Sequence, residues 1–356
     1  MTEYKYVDLL PEPVPEEGTL FLSPPFGHTT KKIKNLLKKL KLDFIQPEEG
    51  VFEIYFNTNS LKAFCRSSME TLICREMKDT FTLLKSKKEK PKILDILRAK
   101  SLDGLIARID SEWLLELLQK KRLFTYFQPI LHSKTPTSIF GYECLLRAKD
   151  SEGKMISPVR IFNAARMADL LIQVDRAARL AAVSNAAENK ITEKLFINFN
   201  PLSIYDPYYC LKSTVKALDR LKFKPDSIVF EVVESDHITD VDHLIDILNF
   251  YRKSGFLVAL DDFGSGYSSF SLLTKLKPDI IKLNMDLVRD IDKDTYKAEI
   301  AMRIIEMAKK LNVKTVVEGV ETREQLDWTQ KYEVDFVQGY LFGMPGCPPP
   351  KPLVLD

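Results

Sequence analysis

The sequence is poor in the residues that build zinc sites and disulfide frameworks. It has four histidines and five cysteines in 356 residues, and no two cysteines are separated by two residues. Disulfide frameworks need paired cysteines, and zinc sites use cysteine or histidine at short regular spacings. Neither is indicated here. Any metal site must therefore use oxygen ligands, which favour Mg²⁺, Mn²⁺ or Ca²⁺.

Long apolar runs are also missing. No stretch approaches the roughly 18 continuous apolar residues of a membrane-spanning helix, and residues 1–18, which are rich in Pro and Glu, contain no apolar signal core. We therefore expect a cytoplasmic protein with no membrane span. The net charge of +2 argues neither for nor against a polyanionic partner, and 45% hydrophobic with 29% charged residues is typical of a globular protein.

The first third of the chain predicts a small α/β domain over residues 1–92, with a ligand that the sequence does not identify. Short strand patterns flank an amphipathic helix at 28–43, and a further helical stretch is predicted from about residue 60 to residue 84. The lysines at 31–41 form either a solvated helix face or a contact for a membrane surface or nucleic acid. A charge run at 85–92 marks the boundary, and residues 93–122 predict a helical linker.

The remaining residues, 123–350, alternate strand and helix patterns. Eight strands with intervening helices fit a TIM-like (β/α)8 barrel of about 250 residues. The strand patterns cover 123–131, 140–148, 194–200, 227–235, 256–262, 279–284, 314–321 and 335–343. Because the link between the first two is too short for a parallel crossover, the first strand is predicted to be antiparallel to its neighbour.

Polar side chains interrupt these apolar strands near their carboxyl ends, where barrel enzymes place their chemistry. They are Gln128, Glu143, Arg147, Asn198, Glu231, Glu234, Asp261, Asp262, Lys282, Glu318, Glu321 and Gln338. One such carboxylate alone would more often form a structural ion pair. So many around one barrel mouth would repel each other strongly without cations, and the set predicts a divalent metal site.

The most specific stretch is residues 257–270. Apolar residues lead into Asp261 and Asp262, and Gly264 with Gly266 provide a loop that can fold over the barrel mouth. Adjacent strand residues point to opposite sides, but both carboxylates can converge where the backbone bends at a strand end. Alone, the pair could simply begin a turn.

These motifs together resemble the EAL-domain cyclic-di-GMP phosphodiesterases from about residue 110 to residue 345. The Glu-Ala-Leu triplet of that family appears as Glu143-Cys144-Leu145. The chain also carries, in order and at fitting spacing, YFQPI, INFN, FEVVES, DDFGSGYSSF, IKLN, VVEGVE and VQGYLFGMP. The resemblance implies hydrolysis of cyclic-di-GMP to linear pGpG by a homodimer with two Mg²⁺ or Mn²⁺ ions and inhibition by Ca²⁺. We expect no nucleic-acid polymer as partner. The alternative is a catalytically weak EAL domain that acts as a receptor for the nucleotide.

The resemblance also implies roles for single residues. The first ion would be held by Glu143, Asn198, Glu231 and Asp261, and Asp261 would bridge to a second ion held by Asp262 and Glu318. Lys282 would position the attacking water or meet the phosphate. Substrate contacts would come from Gln128, Glu143, Leu146, Arg147 and Gln338. Glu234 would anchor the loop after the aspartate pair, with Glu321 in support, and Phe270, Leu272 and Leu273 would form an apolar group for the dimer contact.

Four positions depart from the family pattern. They are Cys144, Asn200, Val233 and Asn284. The departure closest to the chemistry is Asn284, which stands where the family has Asp and removes a negative charge that we expect near Lys282. On this interpretation Asn284→Asp would raise the rate modestly.

Overall fold

The computed structural model describes residue 10 and residues 13–86, 91–204, 206–233, 240–264 and 269–352. By its contacts the chain divides into two units, Met1–Lys121 with Val159–Gln173, and Arg122–Pro158 with Val174–Asp356. Each unit has its own buried apolar core. Within the described ranges, no helix has the length and apolarity needed to cross a bilayer.

The first unit is an antiparallel sheet with helices. Its strands are β1 (Glu17–Ser23), β2 (Phe44–Glu48), β3 (Val51–Asn57), β4 (Phe81–Lys85) and β5 (Lys100–Ser101), in the order β2-β3-β1-β4-β5. Its helices are α1 (Gly27–Lys39), α2 (Thr58–Thr71), α3 (Cys74–Asp79), α4 (Ile93–Leu97), α5 (Leu102–Asp110), α6 (Glu112–Gln119) and α7 (Pro158–Met167). An N-terminal α/β unit is therefore present, as the sequence predicts.

Helix α1 forms because Ile33, Leu36 and Leu37 recur at helical spacing and are buried in the core of the first unit. Helix α5 contributes Leu102 and Ile106 to the same core. It lies within the stretch predicted as a linker, and the proposed domain limits at residues 92 and 122 remain a prediction.

The helix predicted from residue 60 to residue 84 is wrong beyond residue 79. Strand β4 occupies its end and pairs with β1, from Ser23 opposite Phe81 to Thr19 opposite Lys85. The sequence FTLL is short, and its aromatic and β-branched residues suit a strand. Pairing with another strand decides whether such a short run forms a strand or a helix, because periodicity alone cannot distinguish the two.

The second unit is a closed barrel of eight strands. They are β6 (Leu123–His132), β7 (Thr135–Lys149), β9 (Lys194–Asn198), β10 (Ile228–Val233), β11 (Leu257–Phe263), β12 (Ile280–Leu283), β13 (Lys314–Val317) and β14 (Phe336–Val337). A short strand β8 (Met155–Ile156) pairs antiparallel with the end of β7. Strand β6 is antiparallel to both β7 and β14, whereas the other neighbouring pairs of the barrel are parallel. The eight strands and the reversed first strand are confirmed.

The helices between the strands supply the outer layer of the barrel core. They are α8 (Leu171–Glu188), α9 (Pro207–Leu221), α10 (Val241–Lys253), α11 (Ser269–Leu276), α12 (Met285–Val288), α13 (Thr295–Lys310) and α14 (Arg323–Lys331). Two 3₁₀ turns occur at Pro201–Ser203 and Pro225–Ser227. One buried residue from each of seven strands forms a separate cluster: Ile130, Phe196, Val229, Ala259, Ile280, Val316 and Phe336.

Candidate metal centre

The separate cluster shows which polar residues face the same side of the barrel wall. Because side chains alternate along a strand, a residue two positions further on faces the same side as its predecessor. Two positions beyond Phe196, Val229, Ala259, Ile280, Val316 and Phe336 stand Asn198, Glu231, Asp261, Lys282, Glu318 and Gln338. The polar residues therefore form a layer at the carboxyl ends of the parallel strands, above an apolar layer.

Three carboxylates come together in this polar layer. Glu143, Glu231 and Asp261 are all buried, and each offers an oxygen within 4.8 Å of the others. Asn198 lies beside Glu231 in the parallel β9–β10 register, and its Nδ2 donates to Glu231 Oε2 at 3.2 Å. We name these four residues the first acidic site.

The ammonium group of Lys282 lies among the carboxylates. Its Nζ is 2.7 Å from Glu231 Oε1, 2.7 Å from Glu318 Oε1 and 3.0 Å from Asp261 Oδ1. Glu143 Oε2 is further away, at 3.6 Å. The lysine side chain is completely buried, so these ion pairs compensate the cost of removing its charge from water.

The pKa values of the charged groups in the site depend strongly on one another. Burial alone would lower the pKa of Lys282, but the surrounding carboxylates, led by Asp261, raise it well above its ordinary value. Burial raises the pKa of Glu231, and it raises that of Glu318 to about 8, against the opposing effect of Lys282. A bound cation would favour the ionised carboxylates and so oppose these raised pKa values.

A second group of carboxylates shares one member with the first acidic site. Asp261, Asp262 and Glu318 each offer an oxygen within 4.8 Å of the others, and we name them the second acidic site. Asp262 reaches this position because its backbone is left-handed, with φ of 55°, next to a register shift between Leu260 and Phe263 in the β11–β12 pairing. The predicted convergence of the two aspartates is thus present, and this backbone bend is its cause.

Asn284 contacts Asp262, whereas the sequence analysis expected it to act near Lys282. Its Nδ2 donates to Asp262 Oδ1 at 2.6 Å, and its Oδ1 accepts from the backbone N–H of Asp286 at 2.7 Å. The ion pairs that fix Lys282 come from four carboxylates and do not include position 284. In this structure the side-chain contact of Asn284 is therefore Asp262, and the effect of an aspartate at this position on the ammonium group stays a prediction.

Two of the predicted substrate-contacting residues, Gln128 and Gln338, lie beside the first acidic site. Gln338 Nε2 donates to Glu143 Oε2 at 2.6 Å and to Gln128 Oε1 at 3.1 Å. Arg147 is half-buried and stacks over the Tyr126 ring at 5.1 Å, while its Nη1 donates to the Leu146 carbonyl oxygen at 2.8 Å. These contacts restrict the orientation of the Arg147 guanidinium group, which is suited to two parallel bonds with a phosphate.

The turn after β13 and the turn after β14 pack closely against each other. Val320 donates its backbone N–H to the Gln338 carbonyl oxygen at 3.0 Å, and a Cβ on Gly339 would lie 2.0 Å from the Val320 carbonyl oxygen. Only glycine allows this approach. The Glu321 side chain is exposed, and its backbone N–H donates to Gln325 Oε1 at 2.7 Å. Glu234 and Gly266 lie outside the described residues.

One residue beside the site was not found from the sequence. Asp175 on α8 is buried, pairs with Arg179, and accepts from Ser203 Oγ at 2.8 Å and from the backbone N–H of Asn200 at 3.0 Å. It thereby holds the turn that follows Asn198. The sequence signal that could have identified Asp175 is an Asp and an Arg four residues apart on an otherwise buried helix face.

The donor set fits divalent cations. The first acidic site offers carboxylate oxygens and the Asn198 amide oxygen, and the second offers carboxylate oxygens. These are the ligands that Mg²⁺ and Mn²⁺ prefer. Glu231 Oε1 is fully buried, and the cation beside it is Lys282 Nζ at 2.7 Å. A buried carboxylate oxygen favours a nearby positive charge.

The chain resembles known proteins both at the level of a family and in single relatives. A family model described as the EAL domain matches residues 111–345. Among curated proteins, the chain is 31% identical over 238 residues to the probable cyclic di-GMP phosphodiesterase PdeG of Escherichia coli K12, covering 66% of this chain and 46% of the relative. It is 31% identical over 240 residues to the cyclic di-GMP phosphodiesterase NbdA of Pseudomonas aeruginosa, covering 66% and 30%. The chain thus spans less than half the length of these relatives.

Solved structures share the fold. A standalone EAL protein from Vibrio cholerae O395, solved with c-di-GMP bound, is 33% identical with a TM-score of 0.59 over 65% of this chain and 95% of its own. BlrP1 of Klebsiella pneumoniae, solved as a manganese and cy-diGMP complex, matches 93% of this chain and 96% of its own with a TM-score of 0.57. At 24% identity, the BlrP1 comparison shows a shared fold.

Proposed function

Because the chain belongs to the EAL-domain family over residues 111–345, we propose that it hydrolyses one phosphodiester bond of cyclic-di-GMP to give linear pGpG, with two Mg²⁺ or Mn²⁺ ions. The observation that carries this proposal is the pair of acidic sites that share Asp261 beside the buried Lys282. Two cation sites with a common carboxylate are the arrangement that two-metal hydrolysis of phosphodiesters requires.

The proposed ligands follow from the two acidic sites. The first ion takes Glu143, Asn198, Glu231 and Asp261, and the second takes Asp261, Asp262 and Glu318. When bound, the two ions would lower the pKa of a water and neutralise charge that develops on the phosphate. The role of the protein is to hold these oxygens in place before the substrate arrives, which reduces reorganisation during the reaction.

Lys282 has a distinct role in this proposal. Its position is fixed by Glu231, Asp261 and Glu318, and it supplies three N–H donors and no acceptor. Because the three carboxylates already take its close contacts, the ammonium group would attract a water or a phosphate oxygen chiefly through its charge, and its raised pKa keeps it protonated at neutral pH. It therefore acts through charge and hydrogen bonding, and a general base must be sought elsewhere.

The substrate would be held at the edge of the first acidic site. We assign the phosphate contact to Arg147, whose guanidinium group is oriented by Tyr126 and by the Leu146 carbonyl. Gln128 and Gln338 supply amide groups for polar atoms of the nucleotide, and Leu146 supplies apolar contact. Glu234 and Glu321 as loop anchors remain predictions from the family resemblance.

The competing function is a receptor that binds cyclic-di-GMP without cutting it. An enzyme is favoured because every proposed ligand position carries an oxygen donor and both acidic sites are assembled. The test is hydrolysis of cyclic-di-GMP in Mg²⁺ and in Mn²⁺, with nucleotide binding measured by calorimetry in Ca²⁺. Turnover in either metal supports the enzyme, whereas binding in Ca²⁺ without turnover in Mg²⁺ or Mn²⁺ supports the receptor.

We also propose that the protein acts as a homodimer. The expected apolar group at the start of α11 is smaller than the sequence analysis assumed, because Leu272 and Leu273 are buried within the barrel core and Phe270 remains 59% exposed. Sedimentation of the wild-type protein and of Phe270→Asp tests this proposal. A monomeric wild type would contradict it.

A further inference from the structure

Asn284 occupies an unusual position, because its side chain makes two hydrogen bonds that fix its amide in one orientation. The backbone N–H of Asp286 can only donate, so the Asn284 oxygen must face it, and the Asn284 nitrogen must then face Asp262. The residue is 91% buried, and its own backbone N–H donates to the Phe263 carbonyl oxygen at 3.2 Å. The amide nitrogen is therefore aimed at Asp262 by the fold itself.

From this contact we infer that Asn284 is a positioning residue that sets the cation affinity of the second acidic site. One oxygen of Asp262 accepts the amide N–H of Asn284, so the carboxylate is held in a defined orientation and its other oxygen is left for a cation. The inference rests on the proposed cation sites, and it concerns this chain in particular because position 284 departs from the family pattern.

The same contact limits the negative charge of the second acidic site. Asp261, Asp262 and Glu318 provide three carboxylates, and Asn284 stabilises Asp262 without adding a fourth. A carboxylate at position 284 would place two acceptors at hydrogen-bonding distance from each other, an arrangement that needs a cation or a shared proton. Asn284 therefore allows the second acidic site to be ordered before a cation binds. Because it adds no negative charge, the site attracts the cation less strongly than it would with a carboxylate at position 284.

This reasoning predicts unequal affinities for the two cations. The first acidic site has three buried carboxylates and the Asn198 amide, whereas Asp262 and Glu318 in the second are half-buried. We expect the second cation to bind more weakly than the first, so that its occupancy follows the free metal concentration.

Two substitutions at position 284 should change the cation affinity of the second acidic site in opposite directions. Asn284→Asp keeps an acceptor for the Asp286 N–H and adds a charge beside Asp262, so the weaker binding event should strengthen by about tenfold. Asn284→Ala removes the hydrogen bond that orients Asp262, so the weaker event should weaken by about tenfold or more. Both variants should unfold at a lower temperature than wild type without metal. A merely structural role would not move the two affinities in opposite directions.

The experiment is calorimetric titration of Mn²⁺ into the full-length, nucleotide-free protein, with free Mn²⁺ counted by electron paramagnetic resonance. Asn312→Asp is the matched control, because this exposed residue on the turn after α13 undergoes the same change of charge. The inference is supported if the weaker event shifts as stated and the control binds like wild type. It is overturned if wild type binds fewer than two Mn²⁺ ions, or if the two variants shift affinity in the same direction or not at all.

Turnover is measured separately, so that the two proposals can fail independently. Hydrolysis of cyclic-di-GMP with unchanged Mn²⁺ binding in both variants would contradict the role of Asn284 and leave the proposed function intact. Opposite shifts in Mn²⁺ affinity without hydrolysis by wild type would support the role of Asn284 and contradict the proposed function.

Discussion

Asp175 Oδ1 accepts the backbone N–H of Asn200 at 3.0 Å, and this bond ties helix α8 to the turn that follows Asn198. The other oxygen of Asp175 pairs with Arg179, which is 2% exposed. A buried charge depends strongly on its close ionic partner. The pair therefore stabilises the barrel and positions a proposed metal ligand at the same time.

The first prediction concerns Asp175→Ala. The substitution leaves Arg179 buried without its ionic partner, so the free energy of unfolding should fall by about 3–5 kcal/mol. Urea denaturation measures the change, and Glu188→Ala, an exposed residue on the same helix, is the control. A loss of less than about 1 kcal/mol would show that Arg179 finds another partner or reaches water.

The second prediction concerns the pH dependence of the metal-free barrel. Burial raises the pKa of Glu318 from its ordinary value of 4.5 to about 8. Between these values the folded protein holds a proton that the unfolded chain has released, so the free energy of unfolding should fall as pH rises from 4.5 to 8. Glu318→Gln removes this group, and the decline should become shallower by up to about 1.4 kcal/mol per pH unit.

Urea denaturation in EDTA at pH 5, 6, 7 and 8 measures that decline. Glu152→Gln changes an exposed carboxylate of the same unit and should keep the wild-type slope. Glu318→Gln should also abolish hydrolysis at every pH, because it removes a proposed ligand of the second cation. An unchanged slope in Glu318→Gln would contradict the raised pKa, and retained turnover would contradict the ligand assignment.

The third prediction concerns Gly339. A Cβ at this position would lie 2.0 Å from the Val320 carbonyl oxygen and 2.4 Å from its nitrogen, so the turn carrying Gln338 must move. Gly339→Ala should destabilise the protein by about 3 kcal/mol and weaken cyclic-di-GMP binding, since Gln338 contacts Gln128 and Glu143. Gly346→Ala is the control, because its nearest contact is an ordinary 3.5 Å. Equal stability of the two variants would rule out the steric argument.

The fourth prediction concerns Glu76 in the first unit. Burial alone would raise its pKa, but hydrogen bonds from Lys32, the Ile73 backbone and Thr29 lower it to about 2. A lowered pKa stabilises the fold above the ordinary value of 4.5, and this contribution is lost as pH falls from 4.5 towards 2.

Glu76→Gln should therefore cost about 2 kcal/mol at pH 7, and the difference from wild type should shrink towards pH 3. Hydrogen exchange of amides in α1 and α3 measures this locally, and Glu70→Gln, an exposed residue on α2, is the control. A difference that grows as pH falls would contradict the lowered pKa.

The barrel and most of its polar layer could be predicted from the sequence because strand and helix patterns alternate along the chain, and polar residues interrupt the strand patterns. Each buried strand is an apolar run, and residues of the polar layer interrupt such runs near their carboxyl ends. Glu231 within IVFEVV and Lys282 within IIKL are examples. A charge in a run of this kind is costly unless it is paired, so its position in the sequence already indicates a site.

The partner of Asn284 could not be predicted in this way. Which group it contacts depends on the left-handed backbone of Asp262 and on the register shift between β11 and β12, and neither leaves a sequence pattern. Strand β4 was missed for a similar reason, because its pairing with β1 is a long-range contact. Asp175 was missed because one charge pair on a helix usually lies at the surface.

The division of the chain into two units has a consequence for how such a protein can be rearranged in evolution. The first unit takes Met1–Lys121 and then Val159–Gln173, so the polypeptide passes between the units three times. A gene fusion with one joint at residue 122 would leave α7 behind in the barrel segment. Because the match to the EAL family covers residues 111–345, which include both α6 and α7, we expect a different N-terminal segment to be joined before residue 111, with α6 and α7 kept together.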